Sequence, residues 1–293
     1  MPQLTGILPA LVTPFDPSGA VDHDTLASII EHQLKAGVRG FVPLGSTGEY
    51  YALTNEERRQ VLATVKNVVG DRGLLIAGAN GSCTREVLEQ VRQTVEAGYE
   101  NLLIAPPYYA LPSQEELIHH YRTILEAFPG INLVLYNYPV RTNVEVGFGV
   151  LDALRDHPRV IAIKESSGNL LRAIQIGENY QGQYQLSCGS DDQALDFFLW
   201  GATSWICGPA NCFPDQVVDF YNKFSTGDLK GAQAVMRRLF PVMASLESGK
   251  FVQKVKYGCE LAGFKTGNAR EPLLPLTDAE KAEFRKIFEA SQH

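Results

Sequence analysis

Residues 131–165 read INLVLYNYPVRTNVEVGFGVLDALRDHPRVIAIKE. The stretch begins and ends with a short run, 131–137 and 159–165, in which most residues are apolar and do not alternate strictly with polar ones. Such runs are typical of strands that are buried on both faces of a parallel sheet. The longer segment between them has the mixed pattern of a helical connection. One strand–helix–strand unit of a parallel sheet is therefore predicted here.

The same alternation continues along most of the chain. Six further apolar runs lie outside this unit, at residues 6–12, 38–44, 74–79, 101–106, 184–189 and 203–208. After the eighth run only helical patterns follow, so we predict a (β/α)8 barrel over residues 1–225 and a C-terminal helical region over residues 226–293. A doubly wound sheet is the competing α/β fold, but the sequence lacks the GxGxxG fingerprint that usually follows its first strand, and it lacks GxxxxGK[ST].

Several helices carry start and stop signals. Asp22 precedes an amphipathic stretch that is bounded by Gly37. Capping boxes, in which a hydroxyl and a carboxylate satisfy backbone amides reciprocally, are predicted at Thr54–Glu57, Ser113–Glu116 and Thr277–Glu280. The C-terminal helices are predicted near residues 214–226, 228–246 and 250–262, followed by one that the Thr277 box opens.

The composition limits the classes of function. Of 293 residues, 45% are hydrophobic and 20% are charged, which is typical of a globular protein. The formal net charge of −7 argues against a nucleic acid or an anionic membrane as a partner, because both require basic patches. The N-terminal stretch predicts a first strand and not a signal peptide, and no apolar run reaches membrane length, so a cytoplasmic protein is expected.

The cysteines and histidines predict neither a disulfide framework nor a metal site. The five cysteines form no CxxC pair and the six histidines form no HExxH motif. Buried, reduced thiols are therefore expected, together with surface positions for His119 and His120. We expect no metal and no other cofactor.

Lys164 is the sharpest candidate for chemistry. In a (β/α)8 barrel the active site lies where the strands end, and Lys164 stands at the end of the sixth run. Removal from water disfavours the ammonium form, and a free amine condenses with a carbonyl. The alternative is a lysine at the rim that pairs with Glu165, although Glu165 is expected on the opposite face of the strand. Tyr136, near the end of the fifth run, is a candidate for moving protons between amine, carbinolamine and imine, or else an ordinary barrel tyrosine.

Three loops add further candidates. Residues 45–49 read GSTGE, and their glycines let backbone amides approach a carboxylate; a tight turn that needs glycine for geometry alone is the alternative. Arg141 is suited to clamp a carboxylate with two hydrogen bonds, or else it is a solvated loop arginine. Tyr108 and Tyr109 lie in a rigid PPYY turn, where exposed aromatics more often serve interfaces than catalysis.

As a set, five segments resemble the family of dihydrodipicolinate synthase and N-acetylneuraminate lyase. They are GSTGE at 45–49, PPYY at 106–109, YNYPVRT at 136–142, IKESSGN at 163–169 and CGSDD at 188–192. They occur in the family's order and spacing and cover essentially the whole chain. The resemblance implies a (β/α)8 barrel with C-terminal helices and a class I lyase that forms a Schiff base with pyruvate or another 2-oxo acid. It also implies a homotetramer built of tight dimers.

The resemblance implies catalytic roles for four residues. Lys164 matches the lysine that forms the Schiff base, and Tyr136 matches the tyrosine that relays protons. Tyr109 resembles the tyrosine that is lent to this relay across the tight dimer interface. Ser46 matches a residue of the GSTGE loop, where one of two neighbouring hydroxyls links into the relay.

Substrate binding is implied for a second set of residues. Ser46 and Thr47 match the pair whose backbone amides hold the carboxylate of the 2-oxo acid. Gly189 and Ile206 match positions that line the pyruvate pocket. Arg141 matches the arginine that, in the synthases, binds the carboxylate of aspartate semialdehyde.

The predicted reaction is therefore the condensation of pyruvate with an aldehyde, and the aldehyde expected is aspartate semialdehyde. Two departures favour an aldolase or dehydratase that acts on a 2-oxo-3-deoxy sugar acid or an N-acetylneuraminate-type compound. Ser46 stands where synthases more usually have threonine, and residues 248–254 lack the synthases' Asn-Pro-x-Pro-x-Lys element. A binding or sensing barrel without turnover and a metal-dependent aldolase are the remaining alternatives.

Overall fold

The computed structural model describes residues 2–292, and eight β-strands lie within them. The strands are β1 Gly6–Pro9, β2 Gly40–Phe41, β3 Leu74–Gly78, β4 Asn101–Ile104, β5 Asn132–Asn137, β6 Val160–Glu165, β7 Gln185–Cys188 and β8 Ser204–Cys207. Each strand falls inside one of the eight apolar runs. In β4, β5, β6 and β8 every residue is buried, which explains why these runs lack polar alternation.

The strands form one sheet in the order β1-β8-β7-β6-β5-β4-β3-β2. The pairs from β3 to β8 are parallel. A parallel bridge between Ala10 and Val42 joins the segments that follow β1 and β2. The strand order therefore returns to its start, as the predicted (β/α)8 topology requires.

Twelve helices lie in the described part of the chain. They are α1 His23–Ala36, α2 Asn55–Val69, α3 Thr84–Glu96, α4 Gln114–Ala127, α5 Pro139–Thr142, α6 Phe148–Leu154, α7 Leu170–Asn179, α8 Ala194–Leu199, α9 Pro214–Ser225, α10 Leu229–Glu247, α11 Phe251–Leu261 and α12 Asp278–Ala290. Asp22 caps α1, and Gly37 ends it at φ 105°, a left-handed conformation that favours glycine. All three predicted capping boxes are formed.

The chain divides into two compact units. The first comprises the residues up to Thr5 and Leu75–Ile206, and the second comprises Gly6–Leu74 and the residues from Cys207 onward. Strands β4 to β7 lie in the first unit, while β1, β2 and α9 to α12 lie in the second. The boundary between residues 225 and 226, which the sequence suggests, stays a prediction.

Two expectations about polar side chains were wrong. His120 is buried, because it lies on the same stripe of α4 as Leu117, Tyr121 and Ile124, at the spacing that faces the core. Cys83 is exposed, because it precedes α3 and lies outside the core; the other four cysteines are buried, and all five are free thiols. None of the described helices has the length and hydropathy of a membrane span.

Candidate active site

A row of four side chains crosses four neighbouring strands of the first unit. In the parallel register Tyr136 of β5 stands beside Lys164 of β6, Lys164 beside Ser187 of β7, and Ser187 beside Ser204 of β8. Paired residues of neighbouring strands point to the same face of a sheet. The register therefore brings the two strongest sequence candidates together, with two buried serines beside them.

Lys164 is held away from water next to an aromatic ring. Its residue exposure is 6%, and its Nζ lies 4.3 Å from the centroid of the Tyr136 ring. Tyr136 is itself buried. The face of a phenol ring attracts an ammonium group and also accommodates an uncharged amine. A buried amine is the kind of group that condensation with a carbonyl compound requires.

A second row lies two residues further along the chain, in β8 and directly after the ends of β5, β6 and β7. It consists of Tyr138, Ser166, Gly189 and Ile206, which share a face with the first row because side chains alternate with a period of two. The ring of Tyr138 stacks on that of Tyr136, with centroids 5.7 Å apart. Gly189 is needed for space, since a Cβ there would lie 1.8 Å from Ser166 Oγ and 2.8 Å from Lys164 Cε.

Glu165, the alternative partner for Lys164 in the sequence analysis, lies on the opposite face of β6. Glu165 is fully buried, and its Oε2 accepts hydrogen bonds of 2.8 Å from Arg172 Nε and from Asn137 Nδ2. Arg172 also binds Glu145 at 2.8 Å. Glu165 is thus neutralised by Arg172, as the predicted alternation of faces requires, and it is not the partner of Lys164.

The first unit also contains the arginine and tyrosine candidates from the loops. Arg141 lies on the short helix α5 and is exposed, with its Cζ 5.9 Å from the centroid of the Tyr138 ring. It therefore neighbours the second row through Tyr138. Tyr109, which follows β4, is 89% exposed within the single chain.

Ser46 and Thr47 lie in the second unit, in the loop that follows β2. The loop is a tight turn in which the Gly48 amide donates to the Gly45 carbonyl at 3.1 Å. A Cβ on Gly48 would approach the Leu11 carbonyl to 2.8 Å, so the turn requires glycine there. Glycine at position 48 therefore serves the geometry of the turn, and the approach of the loop amides to a carboxylate stays a prediction.

A buried ion pair anchors the end of this loop. The Glu49 carboxylate is fully buried and accepts hydrogen bonds of 2.8 Å from Lys256 Nζ and from the backbone amide of Arg270. Burial lowers the pKa of Lys256, an effect that the neighbouring Glu49 opposes. These contacts connect the GSTGE loop to α11, which no local sequence pattern indicated.

Sequence reasoning missed four polar groups: the serines of the two rows, Ser166, Ser187 and Ser204, and Arg172, which pairs with Glu165 on the opposite face. The serines could have been found from the sequence, because strand register or the alternation of side chains along a strand puts each of them on the same face as Lys164. Arg172 carries no such signal, since a helical arginine is usually solvated. Among residues 2–292 no group of three or more His, Cys, Asp or Glu side chains is arranged to hold a metal ion.

A (β/α)8 fold with a buried lysine against a tyrosine at the strand ends defines a lyase of the class I aldolase type. The model of the Dihydrodipicolinate synthetase family matches residues 3–291. The chain belongs to that family.

Named relatives support this membership over nearly the full length. The chain is 33% identical to a 4-hydroxy-tetrahydrodipicolinate synthase of Exiguobacterium sp., covering 98% of each chain. It is 35% identical to one of Phenylobacterium zucineum, covering 96% of this chain and 95% of that one. A solved structure of the chloride-inhibited dihydrodipicolinate synthase from Acinetobacter baumannii, complexed with pyruvate, superposes with a TM-score of 0.95 at 28% identity and covers 99% of each chain. The (β/α)8 barrel with C-terminal helices is thereby confirmed.

Proposed function

We propose that the chain is a 4-hydroxy-tetrahydrodipicolinate synthase, which joins pyruvate to aspartate semialdehyde through a Schiff base on Lys164. The observation that carries the proposal is the buried Lys164 amine over the Tyr136 ring, with the neighbouring Glu165 already paired to Arg172. The naming of several relatives supports the overall reaction. The pyruvate complex of the Acinetobacter baumannii protein supports the choice of 2-oxo acid.

In the proposed mechanism the Lys164 amine adds to C2 of pyruvate to form a carbinolamine, which loses water to give an imine. Tyr136 supplies the proton that the departing hydroxyl needs and takes it back at a later step. Loss of a proton from C3 converts the imine to an enamine. C3 then forms the new bond to the aldehyde carbon, whose oxygen is protonated. The amino group of aspartate semialdehyde adds to C2 of the resulting imine and closes the ring, and the bond between C2 and Nζ breaks to release Lys164 as its free amine.

The remaining site roles rest on the family resemblance. We propose that the Ser46 and Thr47 amides hold the pyruvate carboxylate, with the Ser46 hydroxyl in the proton relay. Gly189 and Ile206 line the pyruvate pocket in this proposal, and the closeness of Gly189 to the Lys164 side chain supports its role. Arg141 is proposed to bind the carboxylate of aspartate semialdehyde.

The first covalent step can be tested by reductive trapping. Incubation with pyruvate and borohydride should add to Lys164 the mass of pyruvate less one water plus two hydrogens, located by peptide mass spectrometry. Lys164→Met should abolish the adduct, whereas Lys265→Met, at an exposed lysine, should leave it unchanged. An unmodified Lys164 in the wild-type protein would refute the proposal.

A second candidate is cleavage or dehydration of a 2-oxo-3-deoxy sugar acid or an N-acetylneuraminate-type compound. Ser46 and the departure at residues 248–254 favour it. It shares the first covalent step, so trapping does not separate the two. A panel of aldehyde acceptors and 2-oxo-3-deoxy acids does, because only a synthase should consume pyruvate fastest with aspartate semialdehyde.

We also propose a homotetramer of tight dimers in the cytoplasm. The 89% exposure of Tyr109 supports an interface at the PPYY turn, since tyrosine is enriched at protein interfaces. The five free thiols support a reducing compartment.

A further inference from the structure

Ser166 is a buried hydroxyl beside the lysine of the proposed reaction. It stands two residues after Lys164, so both side chains lie on the same face. The residue is 4% exposed, and within residues 2–292 its Oγ has no hydrogen-bond partner. Buried hydroxyls are nearly always hydrogen-bonded, so an exception of this kind calls for a partner that arrives from outside the chain.

The place of this hydroxyl is fixed by Gly189. A single carbon added to Gly189 would collide with Ser166 Oγ and with Lys164 Cε, at 1.8 and 2.8 Å. The hydroxyl and the lysine side chain therefore converge on the same small volume. The Gly189 amide donates to the Glu165 carbonyl at 2.9 Å, which holds the glycine in position beside Ser166.

We propose that Ser166 is a further substrate-binding residue, whose hydroxyl donates a hydrogen bond to an oxygen of the 2-oxo acid held at Lys164. The inference rests on the proposed function, because it assigns the substrate as the missing partner. A buried polar group without a partner destabilises the free protein. Binding of a substrate oxygen removes that penalty, so the hydroxyl favours the substrate complex over the free enzyme.

The role predicts opposite effects of one substitution on activity and on stability. Ser166→Ala should lower kcat/KM for pyruvate about tenfold, since one hydrogen bond to a charged substrate is lost. The melting temperature without substrate should stay the same or rise, because the deleted hydroxyl has no partner there. Ser167→Ala is the matched control, since Ser167 is the next residue and its Oγ accepts from the Asn169 amide; it should leave kcat/KM unchanged.

Kinetics, thermal unfolding and borohydride trapping over a range of pyruvate concentrations together decide the matter. A higher pyruvate concentration for half-maximal trapping in Ser166→Ala, with an undiminished melting temperature, supports the inference. Unchanged kcat/KM overturns it, and so does a lowered melting temperature, which would show that the hydroxyl is bonded within the protein. If wild-type Lys164 traps no pyruvate, the proposed function itself fails; if it does and Ser166→Ala behaves like wild type, only the role of Ser166 fails.

Discussion

Lys164 and Glu165 are adjacent in sequence, but their side chains point to opposite faces of β6 because side chains alternate along a strand. Lys164 faces Tyr136, whereas Glu165 faces Arg172, with which it forms a buried ion pair at 2.8 Å. Removing one partner of such a pair leaves a buried charge without compensation. Arg172 thus pairs with the carboxylate on its own side of β6, and the carboxylate does not pair with the Lys164 amine.

Arg141 offers the most direct test of substrate choice. Arg141→Ala should lower kcat/KM for aspartate semialdehyde roughly 10- to 100-fold, because a charge-assisted hydrogen bond to its carboxylate is lost. Steady-state kinetics with an uncharged aldehyde of similar length supplies the comparison, and there the change should be small. Equal losses on both acceptors would remove the carboxylate-binding role.

His120 predicts a pH dependence of stability. Burial lowers the pKa of its imidazole from about 6.5 to about 4, while Nδ1 contacts Thr84 Oγ1 at 2.9 Å. Because the unfolded chain binds the proton more readily, the stabilisation is complete above pH 6.5 and is lost as the pH falls towards 4, by up to about 3 kcal/mol. Melting temperatures of wild type should therefore fall more steeply over this range than those of His120→Gln.

His119→Gln is the comparison variant, since His119 is the exposed neighbour whose charge adds the smaller part of the lowering of the His120 pKa. Its profile should fall slightly less steeply than that of wild type and clearly more steeply than that of His120→Gln. Parallel profiles for wild type and His120→Gln would contradict the assignment.

For a single residue, the sequence could predict its burial or its role only where the residues that determine them are close in sequence. Lys164 and Tyr136 were found because each stands near the end of an apolar run. The burial of His120 was also within reach, since Leu117 and Ile124 mark its stripe. The pairing of Glu49 with Lys256 was not, because the two are 207 residues apart.

At the scale of elements, helix starts were predictable because their signals are local. The Ser113 box is an example: Ser113 Oγ accepts from the Glu116 amide at 3.3 Å, and Glu116 Oε2 accepts from the Ser113 amide at 2.8 Å. Strand lengths were less predictable. The run 38–44 contains a strand of only two residues, Gly40–Phe41, because pairing and not apolar character sets where a strand begins and ends.

The Ser113 box predicts a measurable contribution to stability. Ser113→Ala should lower the free energy of unfolding by about 1 kcal/mol, because the hydroxyl that satisfies an amide at the start of α4 is removed. Urea titration followed by circular dichroism measures the change. Ser113→Asn keeps an acceptor at this position and should restore most of it; equal losses in both variants would show that α4 is stabilised by packing alone.

At the scale of the whole molecule, the order of elements was predictable because one alternating pattern recurs eight times. The division into two compact units was not, since each unit combines segments that are distant in sequence. The same limit applies to assembly: the exposure of Tyr109 emerges only in the folded chain.

Complementation between inactive variants tests whether the proposed tight dimer completes each site. Lys164→Met should be inactive and Tyr109→Phe at least tenfold slower, because the proton relay loses a member. If Tyr109 serves the partner's site, mixing the two variants places an intact lysine beside an intact tyrosine in one site of each mixed dimer. Free exchange of subunits should then restore about one quarter of wild-type activity. Mixing Tyr109→Phe with the double variant Lys164→Met/Tyr109→Phe should restore none, and failure of the first mixture despite proven subunit exchange would confine Tyr109 to its own chain.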